Sequence, residues 1–164
     1  MGCILGLDPG LAHTGYGMIE VTGNKARYLT HGVIETASDS EPGERLAVIH
    51  DAVSLLLDRY RPELAGIETL YFARNRSSAL PVSQARGVLL LTLHQKGVRV
   101  FESSPQEIKQ ALTGSGRAEK QQVWEMVRVL LGLKSLPGPD HATDALAAAI
   151  CCFHLRAASA RGIR

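Results

Sequence analysis

Ile4-Leu5-Gly6-Leu7-Asp8-Pro9-Gly10-Leu11-Ala12-His13-Thr14-Gly15-Tyr16-Gly17 decides how the rest of the chain is read. A short apolar run ends in a carboxylate and then turns. Side chains alternate across an extended backbone, so Cys3, Leu5 and Leu7 share one face. Ile4, Gly6 and Asp8 share the other, and Asp8 emerges at the strand's end. Pro9-Gly10 breaks the ladder. Gly15 and Gly17, flanking Tyr16, open a second strand with little bulk beside Asp8, which suits a place where a ligand's backbone comes close. Asp-Pro-Gly is also common turn chemistry, so this stretch alone leaves Asp8 as either a functional acid or a turn cap.

Working outward, residues 15–21 and 25–37 read as two further strands around the Thr22-Gly23-Asn24 turn. A helix follows over 44–60, with Leu46, Ile49, Val53, Leu56, Leu57 and Tyr60 at helical spacing, and Pro62 ends it. Leu64-Ala65-Gly66-Ile67-Glu68 is a second apolar run that ends in an acid, and coming after a helix it is expected to lie parallel to the first strand. A helix over 78–95 comes next. Its Val88–Leu93 stretch is apolar nearly all round, which calls for burial by a partner subunit or a third layer as well as the core. Residues 98–102 form the last strand. Ser104-Pro105-Gln106-Glu107 is a capping box with proline at the first helical position, opening a helix that stops near Gly114. Residues 118–131 form another helix, with Val123, Met126, Val127, Leu130 and Leu131 inward, and Asp140 is expected to cap a final helix over 140–155. The order βββαβαβααα predicts an α/β fold, a mixed five-stranded sheet with helices on both faces.

The 164 residues read as one domain over 1–156 and a flexible, basic C-terminal tail over 157–164. No apolar run approaches the roughly 18 residues of a membrane span. With no basic, apolar leader at the N-terminus either, the expected location is the cytoplasm, with no membrane partner. Cys3, Cys151 and Cys152 are odd in number and two are adjacent, which fits buried reduced thiols rather than a disulfide framework. The net charge of +2 hides a division along the chain. Residues 74–134 hold ten basic and four acidic side chains, +6, against −4 for the remainder. Such a basic middle is either an ordinary solvated face or a polyanion-binding surface around a cation site.

His141 and Asp144 lie three residues apart, on one side of the last helix's first turn. If they met Asp8 and Glu68, the four would make an oxygen-rich site suited to Mg²⁺ or Mn²⁺. Two such ions about 3.5–4 Å apart activate water and stabilise a leaving oxygen in phosphodiester cleavage. Residue spacing leaves other roles open. Glu68 could pair with an arginine, Asp140 and Asp144 could serve the helix dipole, and His141 could sit in solvent.

Taken together, Ile4-Leu5-Gly6-Leu7-Asp8-Pro9-Gly10, Thr14-Gly15-Tyr16-Gly17, Gly66-Ile67-Glu68, Ser83-Gln84-Ala85-Arg86-Gly87, Gln106-Glu107-Ile108-Lys109-Gln110, Ala118-Glu119-Lys120 and Asp144-Ala145-Leu146-Ala147 resemble the RuvC family of Holliday-junction resolvases. The motifs stand in family order from Ile4 to about Phe153. The resemblance implies a ribonuclease H-like fold and a homodimer that resolves four-way DNA junctions in recombination and repair by metal-dependent paired nicks. It also implies two Mg²⁺ or Mn²⁺ ions per site. Family catalytic and metal-binding acids map onto Asp8, Glu68 and Asp144. Where many members carry Asp, three residues before Asp144, this chain carries His141, and the neighbouring Asp140 is the alternative. Tyr71 falls where the family places an aromatic wedge at the crossover, with Phe72 sharing or competing for that role. Lys109 and Lys120 match basic positions needed for cleavage, and Arg74 and Arg76 would hold the DNA backbone. The apolar helix is then expected at the twofold interface, and a RuvA–RuvB-type motor is the expected partner. The alternatives are a non-catalytic junction-binding module or another nuclease of the same fold. An actin-like ATPase shares the Asp-Pro-Gly turn but needs a duplicated domain for which this chain has no room.

Overall fold

The N-terminal apolar run forms β1 (Gly2–Asp8), the middle strand of a five-stranded sheet. The computed structural model describes residues 2–69, 76–135 and 138–160, with 76–78 and 157–160 described through their backbone alone. β1 pairs antiparallel with β2 (His13–Thr22), and β2 with β3 (Lys25–Glu35). On its other side β1 pairs in parallel with β4 (Leu64–Glu68), which pairs in parallel with β5 (Arg99–Ser103). The parallel crossovers are made by α1 (Pro42–Tyr60) between β3 and β4 and α2 (Arg76–Gln95) between β4 and β5. α3 (Pro105–Thr113), α4 (Lys120–Leu130) and α5 (Asp140–Ala160) complete the chain.

Alternation along β1 divides the core in two. Leu5 and Leu7 are fully buried with Met18, Ile49, Val53, Ile67, Leu89 and Leu93, between the sheet and α1 and α2. Ile4 points the opposite way, into a second core with Ile19, Ile108, Val127, Leu146 and Ile150 beneath α3, α4 and α5. Burying each such side chain contributes about 1.5–3 kcal/mol. The expected mixed sheet with helices on both faces is therefore what forms.

α5 lies unusually close to the sheet because glycines leave it room. A Cβ at Gly6 would sit 1.8 Å from the Ala145 carbonyl oxygen, at Gly66 2.4 Å from that of Ala148, and at Gly15 2.0 Å from that of His141. Gly6 pairs with Gly17 on β2 and with Gly66 on β4, so glycines of three neighbouring strands form one row under the helix. The backbone that approaches here belongs to α5, which corrects the expectation of a ligand beside Gly15 and Gly17.

Element boundaries differ in places. The Pro139 carbonyl accepts the N–H groups of Ala142 and Thr143, so Asp140 is not the cap but an exposed first-turn acid. α5 also continues past 155 to Ala160, into the stretch expected to be tail. Leu130, expected inward, is 38% exposed at the end of α4. The capping box at α3 forms as read, with Ser104 Oγ accepting from the Glu107 N–H and Glu107 Oε2 accepting from the Ser104 N–H at 2.7 Å. Ala85, Leu89 and Leu93 of α2 face the core, whereas Leu80 and Leu91 are exposed. The three cysteines are free, and burial pushes Cys3 up to about 11 and Cys152 up to about 12.

Candidate active site

The register Leu7↔Ile67 makes Asp8 and Glu68 the next residues on adjacent parallel strands. Like Gly6 and Gly66 two positions earlier, they face α5. The glycine row lowers α5 onto that face, and its first turns bring His141 and Asp144 over the strand ends. His141 Nδ1 donates to Asp8 Oδ2 at 2.7 Å across 133 positions of chain. Asp144 is held on both oxygens: Trp124 Nε1 donates to Oδ1 at 2.8 Å, and Lys120 Nζ lies 2.9 Å from Oδ2.

The ionisation of these groups follows from their crowding. Burial, and then the charges of Asp8 and Asp144, push the Glu68 carboxyl up to about 7, against the pull of Lys120 and Lys109. Asp8 is raised as well, mainly by burial and further by Asp144, while its bond to His141 works the other way. Burial pulls the Lys120 ammonium down, but the bond to Asp144 and the charges of Asp144, Asp140 and Asp8 outweigh it and hold it above its usual range.

Six expected residues thus share one electrostatic neighbourhood: Asp8, Glu68, His141, Asp144, Lys120 at the start of α4, and Lys109 on α3. Asp140 is exposed, and its charge reaches Lys120. Tyr71, Phe72 and Arg74 lie outside the described residues, and Arg76 opens α2 with its side chain outside them. Two residues were missed from sequence. His13 stacks on His141, ring centroids 5.6 Å apart and planes within 3°. Trp124, the chain's one tryptophan, also carries Lys120 Nζ 4.8 Å above its ring. The signal for Trp124 was its place four residues after Lys120, one helical turn along the same face.

No three His, Cys, Asp or Glu side chains among the described residues are drawn into a ready-made metal cluster. Asp8 is engaged by His141, and Asp144 by Trp124 and Lys120. The donor chemistry nevertheless fits a hard divalent cation. Burial and the charges of Asp8 and Asp144 disfavour ionised Glu68, burial and the charge of Asp144 disfavour ionised Asp8, and a cation bound there would relieve both. Carboxylate oxygens with one imidazole and no thiolate suit Mg²⁺ or Mn²⁺.

A family model described as crossover junction endodeoxyribonuclease RuvC matches residues 4–152. The protein of that name from Treponema denticola is 56% identical over 153 residues, covering 93% of this chain and 86% of its own. Among solved structures, Thermus thermophilus RuvC superposes with a TM-score of 0.88 at 40% identity, over 94% of this chain and 96% of that one. T. thermophilus RuvC in complex with a Holliday junction substrate gives 0.91 at 38% identity, over 97% and 98%.

Proposed function

The chain belongs to the RuvC family of crossover junction endodeoxyribonucleases, and from that membership we propose that Asp8, Glu68, His141 and Asp144 are its catalytic, metal-binding set. The protein is a metal-dependent nuclease that resolves four-way (Holliday) DNA junctions in recombination and repair. The observation that carries the site assignment is the meeting of two strand-end acids with a helix-borne His and Asp, through the 2.7 Å bond between Asp8 and His141.

In this reading Asp8 and Glu68 from the sheet, and His141 and Asp144 from α5, are the residues that would hold the cation. Three carboxylates and one imidazole support Mg²⁺ or Mn²⁺, and family membership supports two per site. When bound, the metal supplies Lewis-acid stabilisation of the phosphate oxygens and activates water. Lys109 and Lys120 add positive charge beside the carboxylates, where the scissile phosphate must come. Tyr71, with Phe72 sharing or competing for the role, stacks on bases at the crossover, and such stacking is worth about 1–3 kcal/mol per base. Arg74 and Arg76 hold the phosphate backbone and make binding steeply salt-dependent.

The working unit is a homodimer. Supporting this, α1 and α2 leave Val48, Leu55, Leu80 and Leu91 exposed at 47, 70, 68 and 54% on the face away from the site helix α5. A twofold contact there pairs two identical sites on two like strands. Residues 1–156 act as one nuclease domain, and family membership supports a RuvA–RuvB-type motor as partner. No described helix is long and apolar enough to cross a membrane; membership of a DNA-acting family supports a cytoplasmic place of work.

The test is cleavage of a labelled mobile four-way junction and its matching linear duplex in Mg²⁺, Mn²⁺ or EDTA. Paired nicks confined to the junction, abolished by EDTA and by Asp8→Asn, are the expected result. Cleavage by Asp8→Asn at the parental rate would remove Asp8 from the catalytic set. Tight junction binding without nicks in any metal would make the chain a binding module.

A further inference from the structure

Trp124 stands outside every motif that carries the family resemblance, yet it touches two members of the site. Its indole N–H donates to Asp144 Oδ1 at 2.8 Å, and its ring lies beneath the Lys120 ammonium, 4.8 Å from the centroid. Lys120 in turn reaches Asp144 Oδ2 at 2.9 Å, which closes a triangle of three side chains. Torsion about the last bond of an aspartate is broad, so one directed bond is needed to fix which oxygen faces which way. The α4 residues one position before Trp124 and three after it, Val123 and Val127, are buried in the core with Leu146 and Ile150 of α5, so the indole is anchored by packed backbone.

We propose that Trp124 is a positioning residue for metal binding. It keeps Asp144 Oδ1 on the indole and so reserves Oδ2 as the atom that exchanges between Lys120 and a divalent cation. It also retains Lys120 beside the site after the exchange, because the ring face attracts an ammonium whose carboxylate partner has been taken. This rests on the reading of Asp144 as a metal ligand. Since Trp124 is the chain's only tryptophan, its emission reports the exchange directly.

The experiment uses full-length protein without DNA. Mg²⁺ is titrated against tryptophan emission, and Mn²⁺ binding is measured by calorimetry for the parent, Trp124→Phe, Trp124→Gln and Asp144→Asn. The parent's emission is expected to change saturably with Mg²⁺, and the change to vanish in Asp144→Asn. Trp124→Phe keeps a ring and loses the donor, so Mn²⁺ should bind about tenfold more weakly, the worth of one hydrogen bond to a charged group. Its junction affinity in EDTA should match the parent's, and Trp124→Gln, with a side-chain N–H, should recover part of the loss. Parental Mn²⁺ affinity in Trp124→Phe overturns the proposal. So does a loss matched by equal losses of junction affinity and melting temperature and not recovered by Gln, which is a purely structural role. Parental Mn²⁺ affinity and emission response in Asp144→Asn would instead overturn the metal-ligand reading of Asp144 itself.

Discussion

Glu68→Gln should make the metal-free protein more stable, and only at neutral to alkaline pH. Folding raises the Glu68 carboxyl from 4.5 to about 7, chiefly by burial and then by Asp8 and Asp144. A carboxyl raised in this way binds its proton more tightly folded than unfolded. Below 4.5 it is protonated in both states and costs the fold nothing. As the pH rises to about 7 and beyond, the folded chain must carry a charge that the unfolded chain carries more comfortably, and stability is lost. The full difference is roughly 3 kcal/mol. Because Glu68 is only half-buried, solvent screening reduces it to about 2 kcal/mol. For a chain of this size that is a rise in melting temperature of about 4–8 °C. Thermal unfolding followed by circular dichroism in EDTA, at pH 8 and near pH 4.5, measures it. The variant should melt higher than the parent at pH 8, and the gap should close at the acid end. Adding Mg²⁺ should reverse the order at pH 8, since the parent gains a ligand-linked increment that the variant lacks. An unchanged melting temperature at pH 8, or a gain equal at both pH values, would refute the account of Glu68 as a charge held at a cost until metal arrives.

The remaining expectations concern geometry. Gly6→Ala places a methyl 1.8 Å from the Ala145 carbonyl oxygen and 2.6 Å from the Ala149 nitrogen, so α5 must retreat by an ångström or more. Single-turnover junction cleavage should fall by about 100-fold and the melting temperature should drop, while Gly43→Ala, which meets nothing within 4 Å, should leave both unchanged. Leu55→Glu combined with Leu91→Glu, on the exposed α1–α2 face, should convert the proposed dimer to monomer in sedimentation velocity at micromolar concentration while leaving the fold intact by circular dichroism. His141→Asp sets a further carboxylate beside Asp8 in place of an imidazole that donates to it. It should lower metal-free stability at pH 8 by about 1–3 kcal/mol, the cost of a lost bond to a charged group, and tighten Mg²⁺ binding by calorimetry.

The site's sheet half was legible in the chain. Period-two alternation aimed Asp8, and a strand–helix–strand crossover put Glu68 beside it, both of which are local rules. The capping box at Ser104 likewise contained its own partners. What was not legible depended on rotations between distant elements. Nothing around Gly6, Gly17 and Gly66 says that a helix from the far end of the chain will occupy the space they leave. The bond of Trp124 to Asp144 requires a particular setting of α4 against α5, which core packing around Val127, Leu146 and Ile150 decides. At Asp140 two start signals competed, and the Pro139 carbonyl took the cap position that the side chain was expected to fill. Helical spacing raised His141 as a candidate and family resemblance favoured it, but only the fold shows that it meets Asp8.

The docking of α5 on its glycine row also governs when the protein becomes dangerous to DNA. Asp8 and His141 stand 133 positions apart, so a nascent chain carries its first two acids long before the other half of the site exists. α5 supplies much of one core as well, from Leu146 to Cys152. A prematurely ended product therefore lacks the packing to hold its acids in place along with the partners they need. The scissors are hinged by a segment made well after both strand-end acids, so the order of synthesis itself acts against a half-built site.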